Sequence, residues 1–380
     1  MTAVAVVVAA ASLAAAGCSS SGVSSSAASG STAAGSSAAS GSTTAAQSSC
    51  LAAAHSVVSK GTAPLALPAA SPTIPVSKLA GKTVWFVSIN STVTIGADTL
   101  AGFKAAAAAA HVKVISINGN QSLGTSLQGL TQAVAAKPDG IVTWAINTAE
   151  ATVQLKQAQA NKTPVVGVYE AGPLTSAGVL SQAGLTGQQE AAAALIATNC
   201  RLVATDLYGI GLATQQAQAQ AIDAYIKQTC PTTCSVRDQL FDESTEATSL
   251  QGIVTNLLSR YPTTNAIFTG SDDQVPFMVP AIRSVGSKVR VVSGGGLPQE
   301  LQYTEQGVQI ADDATPPGQF VGWQIFDQLA RVMLGMPPSA YDSTMPVKLF
   351  TAQNLKGVNV NSPFPELNGY QAAFTASWGL

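Results

Sequence analysis

Residues 82–107 read KTVWFVSINSTVTIGADTLAGFKAAA, and this stretch decides the fold class. Its first part, 83–89, is an apolar run in which Val84, Trp85, Phe86 and Val87 follow one another without a polar break. A strand of that kind is covered on both faces, as in parallel sheets flanked by helices. The second part, about 96–110, is rich in alanine and long enough for a helix. The pair then repeats. Runs at 112–117, 140–144 and 164–169 alternate with helical patterns at about 124–136 and 149–160. Beyond a helical stretch at about 187–200, runs at 202–210, 235–241, 266–269 and 289–292 alternate with helices at about 214–228, 246–260 and 275–285. A helix at about 318–334 and a short strand at 345–350 follow. Such alternation builds βαβ units and parallel sheets. Two successive sets predict an α/β protein of two Rossmann-like lobes. Ligands of such sheets bind outside the carboxyl ends of the strands.

The charged residues all lie from Lys60 onward, 18 basic against 20 acidic, a net charge of −2. That balance argues against nucleic acid or an anionic membrane surface as partner. The roughly 320 residues from Lys60 exceed what one hydrophobic core of about 250–300 residues organises, in keeping with two lobes.

Upstream, residues 1–17 read MTAVAVVVAAASLAAAG, an apolar block closed by small residues just before Cys18. It is too short for a membrane span of about 20 residues and suits a secretory signal, although no Lys or Arg precedes it. Small residues ahead of Cys18 are similar to a bacterial lipobox, whose cysteine is lipidated after cleavage; an ordinary signal with an incidental cysteine is the plainer alternative. Residues 19–49 are almost wholly Ser, Ala, Gly and Thr, with little to bury, so a tether covering 18–60 is expected. Of the other cysteines, Cys230 and Cys234 are spaced for a local disulfide, with Cys50 and Cys200 remaining, though three pairings are open. Two histidines, His55 and His111, and no second close Cys pair make a zinc site the weaker reading; no metal and no cofactor are expected.

Four segments carry a family resemblance. They are 82–107, quoted above; 135–171, AAKPDGIVTWAINTAEATVQLKQAQANKTPVVGVYEA; 257–295, with Pro262-x-x-x-Ala266-Ile267-Phe268-x-x-x-Asp272-Asp273; and 307–336, GVQIADDATPPGQFVGWQIFDQLARVMLGM. Together they resemble the sugar-binding class I periplasmic binding proteins, the ribose- and galactose-binder family. The resemblance implies two lobes joined by a hinge of three crossings, near 169–172, 312–315 and 345–347. The implied lobes are 82–169 with 316–345, and 170–312 with 346–380. It also implies a monomer that closes on a small polar, sugar-like solute and hands it to the permease subunits of an ABC importer. Such a protein would work outside the cytoplasm, held to the membrane by lipidated Cys18. A ligand sensor for a membrane receptor, or a binder of a non-sugar solute, is the alternative.

Matched by position, the ligand-binding candidates are Asn90, Ser91 and Thr92 after the first strand, Asn147 and Thr148 after the third, and Tyr169 and Glu170 at the first crossing. The second lobe contributes Ser271, Asp272 and Asp312. Asn90 and Asn147 equally suit strand-ending turns, Asp272 suits a cap on the helix that follows it, and Glu170, Asp312 and Asp313 suit solvated hinge positions. Trp144 reads as core rather than cleft wall. Gly294-Gly295-Gly296 stand where relatives place a ligand-contacting Asp, and the aromatics that stack sugar rings after the first strand are missing. No catalytic residues are expected. Gly209-x-Gly211 lacks the third glycine of a dinucleotide fingerprint, no G-x-S-x-G elbow or P-loop occurs, and no paired carboxylates stand out for glycoside hydrolysis.

Overall fold

The computed structural model describes residues 44–65, 73–210 and 212–380. The signal at 1–17 and Cys18 lie outside them. Five parallel strands form the first sheet: β1 (Thr83–Ser88), β2 (Lys113–Asn118), β3 (Gly140–Trp144), β4 (Val165–Tyr169) and β5 (Ala177–Leu180), in the order β2-β1-β3-β4-β5. The second sheet contains β6 (Val203–Gly209), β7 (Ser235–Phe241), β8 (Ala266–Thr269), β9 (Arg290–Ser293), β10 (Gln309–Ala314) and β11 (Lys348–Thr351). Its order is β11-β10-β9-β8-β6-β7, parallel except for antiparallel β11. Read from β7 inward, the second sheet repeats the first. Both reverse winding between their first and third strands, which puts a ligand crevice at each switch point.

The alternation read from the sequence is present, and burial explains it. On β1, Val84 and Phe86 join one apolar cluster while Val87 joins the cluster on the opposite face. Helices α2 (Thr94–Ala109) and α10 (Gly318–Met333) cover the first face; α3 (Leu123–Ala135) and α4 (Thr152–Ala160) cover the second. Phe86, Phe103 and Phe326 pack in sequence with ring centroids 5.3 and 5.8 Å apart. A side chain at Gly102 would sit 2.2 Å from the Gln319 carbonyl, so glycine lets α2 and α10 touch backbone to backbone. In the second lobe, α5 (Ala183–Ala197) and α6 (Ala213–Thr229) cover one face, α7 (Glu246–Arg260) and α8 (Val275–Ser284) the other; α9 (Pro298–Glu305) leads into β10.

Three boundaries differ from the expected ones. The residues 177–180 add a fifth strand to the first sheet, with Val166–Tyr169 paired to Ala177–Leu180. The first crossing therefore lies between Leu180 and Ala183, not at 169–172. The remaining crossings run from Ala314 to Gly318 and through 345–347, and Met345 N donates to the Leu180 carbonyl at 2.8 Å, which sets two crossings side by side. Second, the C-terminal end does not belong wholly to the second lobe. After β11, α11 (Tyr370–Ser377) and Trp378 return to the first core, where the Trp378 and Trp323 rings stack at 5.1 Å. Third, α1 (Ala45–Gly61) is a helix where a tether was expected. Thr44 caps it by accepting from Gln47 N at 3.2 Å, and alanine sustains it.

The disulfides are Cys50–Cys200, which staples α1 to the turn after α5, and Cys230–Cys234. The first closes a separation of 150 residues, a constraint of about 5 kcal/mol on chain-entropy grounds. Replacing Cys50 and Cys200 with serine should lower the melting temperature by roughly 10 °C. A calorimetric scan showing an unchanged transition would mean that α1 packing alone holds this end.

Candidate functional site

The carboxyl ends of β1, β3 and β4 place Asn90–Thr92, Asn147–Thr148 and Tyr169–Glu170 along one rim. The carboxyl ends of β6 to β10 place Ser271–Asp273, the Gly294–Gly296 loop and Asp312–Asp313 along the other. A cavity of about 220 Å³ lies between them, lined by the start of α2 (Thr94, Asp98), Tyr169, Gly295–Pro298 and the crossing Thr315–Gly318. Val360, Asn361, Pro363 and Phe364 from the C-terminal segment complete its wall. That segment carried no signal in the sequence, because nothing local says it folds back between the lobes.

In the first lobe the short polar residues make turns and keep some groups unused. Asn90 is only 7 % exposed. Its Oδ1 accepts from Thr92 N at 3.0 Å and Thr92 Oγ at 2.7 Å, while its Nδ2 has no partner among the described residues. Ser91 N donates to Asn118 Oδ1 at 3.0 Å, and Ala149 N to Asn147 Oδ1 at 2.9 Å. Burial raises the Glu170 carboxyl, while the Thr148 backbone N–H pulls it down and nearby Glu150 raises it further.

Tyr169 is the distinctive residue of this rim. Its φ of +66° is a left-handed conformation rarely adopted outside glycine and Asn, a local strain of the sort that gathers at binding sites. Trp144 packs edge-on against its ring, centroids 5.5 Å apart. Burial first, and then the negative charge of Asp273, push the Tyr169 hydroxyl up to about 12. The hydroxyl therefore stays a donor, and a first-lobe residue feels a second-lobe carboxylate across the cleft.

In the second lobe, Asp272 and Asp312 are fully buried and hold the glycine loop. Ser293 Oγ donates to Asp272 Oδ1 at 2.5 Å and Leu297 N to its Oδ2 at 2.9 Å. Gly296 N donates to Asp312 Oδ1 at 3.1 Å. Asp272 thus serves the start of α9 rather than capping the helix after itself. Burial pushes Asp272 up to about 6; burial, then the adjacent Asp272 charge, push Asp312 well above the carboxylate range. The glycines have a steric reason. Gly295 has φ +151°, and a Cβ there would lie 2.8 Å from Asp272 Oδ2. At Gly295 a side chain would run into Asp272 itself.

Two groups missed by sequence reasoning belong to this rim. Asp273 accepts from Ser271 Oγ at 3.4 Å. Glu243 Oε1 accepts from Gln215 Nε2 at 3.0 Å and Gln274 Nε2 at 3.1 Å, and Gln274 also bonds Thr269. Glutamine at a helix start and a lone Glu after a strand carry no spacing signal, so only the fold brings them together.

Residues 84–336 match the periplasmic binding protein domain model. The chain belongs to that family. Solved structures agree in fold. An ABC sugar transporter subunit from Rhodobacter sphaeroides superposes with TM-score 0.65 at 17 % identity, covering 72 % of this chain and 99 % of that one. A solute-binding protein from Agrobacterium vitis with bound allitol gives TM-score 0.65 at 19 % identity, covering 73 % and 98 %. The arabinose-transporter binding protein from Shewanella sp. ANA-3, bound to L-arabinofuranose, gives 0.63 at 18 %, covering 77 % and 98 %. No curated protein matches the chain significantly by sequence. No described helix is long and apolar enough to cross a membrane.

Proposed function

We propose that this periplasmic binding protein domain captures a small polar, sugar-like solute between its lobes and presents it to the permease of an ABC importer. The observation that carries this reading is Tyr169, held in a left-handed backbone on the wall of a cavity between the carboxyl ends of the two sheets. A hydroxyl donor on one rim and acceptors on the other can replace the hydration shell of a polyol only when the lobes close, and that differential affinity drives closure. Asn90 through Nδ2, Thr148, Tyr169 and Glu170 contact the solute from one side, Ser271 and Asp273 from the other. Asp272 and Asp312 act through the glycine loop they hold. Outside the described residues, a lipid on Cys18 keeps the protein at the outer face of the membrane.

Allitol, D-arabinose, L-arabinose and D-tagatose form the first test panel. A solute at about 100 times its Kd adds about 2.7 kcal/mol, or roughly 5 °C in melting temperature. Small-angle scattering on the same samples should show a smaller radius of gyration. Tyr169→Phe should weaken binding about 2- to 10-fold, the worth of one neutral hydrogen bond. A panel that moves neither melting temperature nor radius removes the solute-receptor reading.

A further inference from the structure

The C-terminal segment between β11 and α11 runs from the second lobe to the first, and it lies beyond residues 84–336 that the domain model matches. Its base is packed. Asn354 closes the turn after β11, accepting from Thr351 N at 2.7 Å and donating to the Leu349 carbonyl at 2.9 Å. Leu355 and Leu367 are buried, and buried Phe364 meets Phe350 edge-on with ring centroids 5.5 Å apart. Glu366 accepts from Lys348 Nζ at 2.8 Å and from Leu65 N at 3.1 Å. Between these anchors the chain makes a tight turn. Ser362 N donates to the Asn359 carbonyl at 2.8 Å, and Asn361 N to Asn359 Oδ1 at 3.1 Å. The turn carries Val360 and Asn361 onto the wall of the cavity between the lobes.

The Asn361 side chain has no hydrogen-bond partner among the described residues. Asp98, in the second turn of α2, lines the same cavity, is half-buried and is equally unpartnered among them. An amide offers both donor and acceptor and a carboxylate offers acceptors, which together match the hydroxyls of a polyol. The starts of α2 and α10, at Thr94 and Gly318, lie on the same wall without side-chain caps, so their first N–H groups are further donors. Size decides what a solute must touch. The cavity of about 220 Å³ is smaller than the roughly 300–1,000 Å³ of pockets for drug-sized ligands. A solute filling it meets the C-terminal turn as well as both rims.

We infer that Asp98 and Asn361 bind the solute directly, and that the turn Asn359–Ser362 is a specificity-determining wall of the cleft. This rests on the cleft being the solute site, as proposed above. Allitol, D-arabinose, L-arabinose and D-tagatose, titrated calorimetrically into the parent and three variants, test it. For whichever member binds the parent, Asp98→Asn should weaken affinity at least about 10-fold, the worth of a bond to a charged group. Asn361→Ala should weaken it about 2- to 10-fold, the worth of a neutral bond. Asn361→Trp should weaken it at least about 10-fold by overfilling a small cavity. All three should melt within about 2 °C of the parent, because neither side chain has a bond to lose. In the parent, amide hydrogen exchange across 355–364 should slow when the solute is added. Parent-like affinity in any of the three variants, or exchange at 355–364 that the bound solute leaves unchanged, overturns this inference while solute binding stands. A parent that binds no member of the panel removes the solute-receptor reading, and this inference with it.

Discussion

Asp327→Ala is expected to destabilise the protein by about 3 kcal/mol, the cost of breaking a buried ion pair and its hydrogen bonds. Asp327 is 1 % exposed and lies on α10, where it accepts from Arg331 Nε at 2.6 Å and from Trp378 Nε1 at 2.7 Å. Removing it breaks the ion pair of the Arg331 guanidinium, 4 % exposed, and leaves buried Asp342 as the carboxylate that feels the Arg331 charge. It also frees the indole that fastens the C-terminal segment to the first lobe. That segment is tied to the second lobe through β11 and through Lys348, which meets Glu366 at 2.8 Å. Its middle, Val360 to Phe364, walls the cleft. Solute affinity should fall together with stability, and proteases should cut the C-terminal segment first. Trp378→Phe keeps the ion pair but loses one hydrogen bond and part of a fully buried, stacked ring, so about 2 kcal/mol is expected from it. Urea denaturation of both variants checks the pair of numbers. A loss below about 1 kcal/mol for Asp327→Ala would mean that Arg331 pairs with Asp342 or finds solvent, and that the Asp327 ion pair is not what holds this end.

The second large effect is a loss of stability toward alkaline pH. Burial, followed by the charges of Asp238 and Asp223, pushes Asp206 up to about 7. Asp272 stands near 6, Glu300 near 8, and burial raises Asp313 and Glu190 well above the carboxylate range. In the unfolded chain these groups titrate near 4. Between about pH 4 and 8 the unfolded chain therefore releases protons that the folded protein keeps, and stability falls as pH rises, by about 1.4 kcal/mol per pH unit for each retained proton. Their contribution is complete below about pH 4 and is lost as pH climbs through the folded values. Asp139 and Glu366 are lowered by Lys82 and Lys348 against the pull of burial, and act oppositely, only in acid. Melting temperature should peak near pH 4 and fall by pH 8.5. Asp206→Asn, with only 3 % of the residue exposed, should flatten the decline around pH 7. A melting temperature that rises from pH 5 to 8.5 would contradict protonated burial of this group of acids.

The rim positions of the proposed contacts were legible because motif spacing and strand ends coincide. Asn90, Thr148, Tyr169 and Ser271 lie on the rims where the segment order put them. Asp272 and Asp312 lie beside the cleft, but their burial and their bonds to the glycine loop depend on Ser293, Gly296 and Leu297, residues 16 to 25 positions away. Glu243 acquires its place only when β7 docks beside β6 and Gln215 reaches it from α6.

By itself the sequence determined the two α/β lobes, because apolar runs and helical stretches record local burial in their own periodicity. It also placed the ligand-facing connections, since parallel strands put all their carboxyl ends on one side. Tertiary structure alone decided which sheet the weak strand Ala177–Leu180 joins, where the first crossing falls, and that Cys50 meets Cys200. It alone returned Trp378 to Trp323 and brought Gln215 and Gln274 to Glu243. These are pairings between distant residues, and their free energy comes from partners that no short stretch of chain contains.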